Sequence, residues 1–131
     1  MISKNNTLFF TAVALTACLP AFVDVVHAAE TITIDDWVIP YEGPDEVDVE
    51  VGDTIRFRWN RDNHNVYIHP SGSCDMDGRK YIGADDGTSY TFKESDAGEE
   101  IFFACDIGNA AHCKVGKLLF HILIDDRYFD W

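Results

Sequence analysis

At 131 residues the chain is one domain by size, and no internal repeat or low-complexity stretch divides it. Its formal charge of −13 argues against nucleic-acid binding, which needs the opposite sign. The same acidity favours solubility and attraction to a basic partner, although a plain solvated acidic surface is the simpler reading.

The first segment reads as an export signal. Lys4 sits in a short polar start, Thr7 to Leu19 is almost wholly apolar, and Val26-His27-Ala28 offers small residues for cleavage before Ala29. The expected division is a signal peptide over 1–28 and a single domain over 29–131, placing the mature protein in an extracytoplasmic compartment. Asp24 interrupts the apolar run short of a bilayer's thickness, so no transmembrane anchor is expected in the mature chain. Leu15-Thr16-Ala17-Cys18 is similar to a bacterial lipoprotein processing site, which makes lipid anchoring at Cys18 the minor alternative. Asp125 to Trp131 is polar and charged, unlike the tail of a GPI signal. Removing the first segment takes away Lys4 and Asp24 together, so the charge is unchanged. About 100 residues then remain, enough for a modest core that a disulfide would support.

Periodicity of two dominates the mature chain and predicts strands. Thr31 to Ile34 alternates and runs into Trp37-Val38-Ile39. Val47, Val49 and Val51 alternate with Asp48 and Glu50 up to a turn at Gly52-Asp53. Ile55, Phe57 and Trp59 alternate with Arg56 and Arg58, which predicts an antiparallel partner across that turn. His64 to His69 is β-rich and stops at Pro70. Ser71 to Gly87 is rich in Gly and Asp and reads as a long loop or a weak helical excursion. Ser89 to Phe92 resumes strand character, Ser95-Asp96-Ala97-Gly98 is a turn, and Ile101 to Cys105 is an apolar strand. Asp106 to Gly116 reads as a loop of small residues, and Leu118 to Ile124 closes the domain as a hydrophobic strand. The expected class is all-β, a sandwich of about seven strands.

Once Cys18 is set aside, Cys74, Cys105 and Cys113 remain, and an odd count leaves one over. If Cys74 and Cys113 pair, Cys105 is a thiol in an oxidising compartment unless a metal holds it. Cys105 ends an apolar strand and His112 lies across the loop that follows. His64 comes from the start of a distant strand, so two strand ends meeting at one pole would gather all three. One thiolate with two imidazoles is the set that soft, redox-active copper prefers. Taken singly, Cys105 reads as a small buried residue and each histidine as incidental. His69 and His121 are left as incidental on that ground. Zinc accepts the same ligands but usually wants a fourth, for which no residue has motif support. A copper store or chaperone would use the same three residues. A cysteine hydrolase built on Cys105 lacks any oxyanion-hole pattern.

Val51-Gly52-Asp53-Thr54-Ile55, followed by a strand and His64-Asn65-Val66, resembles the opening of a phytocyanin, the secreted branch of the blue copper (cupredoxin) proteins. Phe103-Ala104-Cys105, then His112-Cys113 and Gly116, resembles that family's closing motif, and the likeness runs from about residue 30 to 125. The resemblance implies a Greek-key β-sandwich holding one copper ion, with His64, Cys105 and His112 as equatorial ligands and Cys74–Cys113 as a structural bridge. It implies one-electron transfer without bond-making catalysis, to a redox partner protein reached through His112. A basic docking surface on that partner would suit the acidity of this chain. Two residue patterns depart from the family. Lys117 stands at the axial position usually held by Met or Gln, and the interval from Cys105 to His112 is longer than usual. A protonated ammonium cannot ligate, so Lys117 is expected to turn outward and leave a three-coordinate site. Some phytocyanin relatives lose their ligands and keep the sandwich, which makes a metal-free or other-metal extracellular binding module the second reading.

Overall fold

Residues that alternate along the sequence alternate in burial, which sorts them onto the two faces of a sheet. Ile55 and Phe57 are buried while Arg56 and Arg58 are exposed, and Val49 is buried beside exposed Asp48. The computed structural model describes residues 27–117 and 119–125, so the signal segment over 1–26 and the lipidation alternative at Cys18 lie outside the described residues.

Eight strands follow in chain order: β1 (Thr31–Ile34), β2 (Glu46–Glu50), β3 (Thr54–Phe57), β4 (Val66–Ile68), β5 (Lys80–Gly83), β6 (Ser89–Thr91), β7 (Glu100–Ala104) and β8 (Leu119–Asp125). They form a three-stranded sheet, β1-β3-β6, and a five-stranded sheet, β2-β8-β7-β4-β5. Two pairings are parallel, β1 with β3 and β2 with β8. The rest are antiparallel. Between the sheets lie Trp37, Phe57, Phe92, Phe103, Phe120, Ile55 and Ile122. The aromatic rings meet edge-on or tilted, with Trp37 4.8 Å from Phe57 and Phe57 5.1 Å from Phe103. That geometry suits the ring quadrupoles.

Three expectations change. β2 and β3 do not form a hairpin; the turn between them carries the chain from one sheet to the other. Gly52 takes φ 98°, and the buried Asp53 carboxylate accepts N–H bonds from Glu30 at 2.8 Å and Glu50 at 3.0 Å, which fixes the crossing. The segment 71–87 contains β5, whose Tyr67↔Tyr81 register adds an edge strand to the larger sheet. The loop after Cys105 contains a helical segment, α1 (Ile107–Lys114), whose first half winds left-handed at Gly108, Asn109 and Ala110.

Candidate metal centre

Two strand ends meet at one pole. His64 lies just before β4 and Cys105 directly after β7, and these strands are hydrogen-bonded neighbours. Asn65 ties their ends together. Its backbone N–H points at Cys105 Sγ at 3.4 Å, and its side-chain Oδ1 accepts the N–H of Asp106 at 2.7 Å. Its carbonyl accepts the indole N–H of Trp37 at 3.1 Å, so the pole is anchored to the core. α1 then brings His112 back over Cys105.

The three side chains converge. His64 Nδ1 is 3.7 Å from Cys105 Sγ, Cys105 Sγ is 3.5 Å from His112 Nδ1, and the two Nδ1 atoms are 3.2 Å apart. A triangle with those sides has its centre about 2 Å from each corner, near the bond lengths of thiolate and imidazole to a first-row divalent ion. Among the described residues no further imidazole, thiol or carboxylate belongs to the group. The donor set fits a trigonal ion of the copper type, while zinc held by the same three residues would need a fourth ligand or a water.

Burial sets the proton chemistry. Desolvation holds the His64 imidazolium below its ordinary range, with the neighbouring His112 adding to the effect, so the ring is neutral and available. Desolvation pushes the Cys105 thiol up, while the N–H groups of Asn65 and Ile107 pull the other way. Without an ion Cys105 is thus a thiol, and binding must displace its proton. His64 Nε2 is buried without a hydrogen-bond partner, so packing holds this ring, with Trp59 edge-on at 6.0 Å.

The disulfide joins Cys74 to Cys113, with Cα atoms 5.7 Å apart, and leaves Cys105 free and buried. Lys117 is exposed at φ 58°. Met76 packs beside the disulfide, and its sulfur lies 2.9 Å from Arg79 Nη1. His69, read from the sequence as incidental, is wholly buried with both ring nitrogens engaged, and Asp106 and Arg79 join it; none of the three carried a sequence signal beyond Asp106 following Cys105. His121 lies on β8 opposite Phe102.

The architecture superimposes on spinach plantacyanin with a TM-score of 0.54 at 16% identity, covering 72% of this chain and 99% of that one. This is the cupredoxin fold. Pseudoazurin from Sinorhizobium meliltoi matches with a TM-score of 0.48 at 14% identity over 73% of this chain and 72% of that one. A mutant of amicyanin in its Cu(I) state matches with a TM-score of 0.47 at 18% identity, covering 72% and 82%. No protein-family model and no curated protein matches the sequence. As a cupredoxin-type sandwich the chain has eight strands where about seven were expected, the extra one being β5. No helix among the described residues is long and apolar enough to cross a membrane.

Proposed function

We propose that this chain is an extracytoplasmic mononuclear copper protein of the blue type that carries single electrons, with His64 Nδ1, Cys105 Sγ and His112 Nδ1 as ligands. The observation that carries the reading is the triangle of one sulfur and two nitrogens, each side between 3.2 and 3.7 Å. Bound there, copper supplies one-electron exchange between Cu(I) and Cu(II). The chain's part is to hold the donors still, so that little rearranges between the two states. Asn65 and the disulfide both serve that end. His112 is the more accessible of the two imidazoles and precedes the 82% exposed Val115 by three positions, so its edge is the electron's way in and out. Lys117 points to solvent and stays outside the ligand set, which leaves the site three-coordinate. No bond-making step is proposed. The partner is a redox protein whose basic surface complements the charge of −13.

Export follows from the predicted signal over 1–28, with 29–131 as the working domain. A disulfide beside a sheltered thiol supports an oxidising compartment.

The test is to titrate the mature protein with Cu(II) and record its optical spectrum. An intense thiolate-to-copper band in the red, absent in Cys105→Ser, is the expected result. A colourless protein that binds no copper would overturn the proposal in favour of a metal-free module.

A further inference from the structure

Beside the metal centre lies a second buried polar cluster that takes no part in ligation. His69, just after β4, is 0% exposed. Its Nδ1 faces the Ser73 carbonyl oxygen at 2.7 Å. Its Nε2 sits between the two carboxylate oxygens of Asp106, 2.9 Å from Oδ1 and 3.0 Å from Oδ2. Each ring nitrogen thus faces an oxygen of a neighbouring residue, which fixes the orientation of the imidazole. Arg79 Nη1 donates to Asp106 Oδ2 at 2.8 Å, and its guanidinium lies 4.6 Å above the Tyr67 ring. An apolar filling of the same volume is often as stable as a buried polar cluster, so stability alone gives little reason for this one.

Its members trace a closed path through the proposed ligands. Asp106 follows Cys105 in the chain and its carboxylate meets His69, while His69 meets the carbonyl of Ser73. Ser73 precedes Cys74, Cys74 is bonded to Cys113, and Cys113 follows His112. The loop inside this circuit is conformationally unfavourable. Asn109 and Ala110 stand at φ 57° and 62°, a left-handed region that side chains with a Cβ disfavour. Such a conformation persists only where the surroundings over-determine it.

We propose that His69 and Arg79 are positioning residues for the metal centre. Acting through Asp106, they brace the left-handed loop so that Cys105 and His112 keep their separation. The proposal rests on the copper reading, so its test includes a measurement that needs no copper. His69→Leu and Arg79→Leu are prepared in the mature protein, with Arg79→Lys as the conservative variant.

In the metal-free state the reaction of Cys105 with an aromatic disulfide reagent is timed. Freeing the loop should speed it about tenfold in both leucine variants. With Cu(II) alone as the probe, their thiolate-to-copper band should shift and weaken, and Arg79→Lys should restore it towards the wild type. A lower melting temperature with an unchanged band and unchanged thiol rate would mark a plain structural role and overturn the proposal. If His69→Leu does not fold, Arg79→Leu decides, because that side chain is 36% exposed and its removal leaves no large cavity. If the wild type takes up no Cu(II), the functional reading fails, while the thiol rates still settle whether the brace exists.

Discussion

Cys105 carries the proposed chemistry because, among the described residues, it alone combines a sulfur donor with complete burial and no disulfide partner. Cys105→Ser should keep the fold and lose the red absorption altogether, since no other free thiol stands among the described residues. Lys117 offers a second test at this scale. A non-glycine residue at φ 58° costs on the order of 1 kcal/mol. Lys117→Gly should therefore raise the melting temperature slightly and leave the copper spectrum unchanged. Loss of the band in that variant would make Lys117 a ligand and refute its outward placement. The convergence of His64, Cys105 and His112 was legible in the sequence because their side chains are specialised donors and the cysteine count was odd. His69 was not. A buried histidine announces itself only through its partners, and Asp106 and Arg79 lie 37 and 10 positions away.

Among the elements, the disulfide braces the pole that holds Cys105 and His112, while the β2–β3 turn closes the opposite end of the sandwich, where Glu50 pairs with Asp125. The bridge spans 39 positions, and in the chain-entropy account its loss costs about 4 kcal/mol. A Cys74→Ala/Cys113→Ala double variant should show that loss in urea unfolding, together with faster escape of Cu(II), because Cys113 adjoins His112. Asp53→Ala should cost about 2–3 kcal/mol, since two backbone N–H groups lose a charged acceptor. A change below about 0.5 kcal/mol would show that water satisfies them equally well. The strands themselves were readable from alternation at Val47/Val49 and Ile55/Phe57. Their pairing was not, because periodicity says which face is buried and never which strand lies alongside. Gly52-Asp53 looked like a hairpin turn and proved to be a crossing between sheets. The segment after Cys105 escaped for a related reason: a helical stretch whose first half is left-handed leaves no 3.6-residue stripe to detect.

At the scale of the whole molecule, the proposed ion uptake would be coupled to proton release. Burial pushes the Cys105 thiol up and the His64 imidazolium down, so near neutrality the thiol is protonated and that imidazole is not. Each ion bound must then expel the thiol proton. Apparent Cu(II) affinity should rise about tenfold per pH unit between about pH 7 and about pH 8. A competition titration checks this, and a flat profile would mean that the thiol is already ionised in the metal-free protein. Cys105 is shut away from solvent, which slows attack on it by dissolved oxidants. Under the proposed export, burial would keep this sulfur reduced in the same molecule that carries an oxidised cystine.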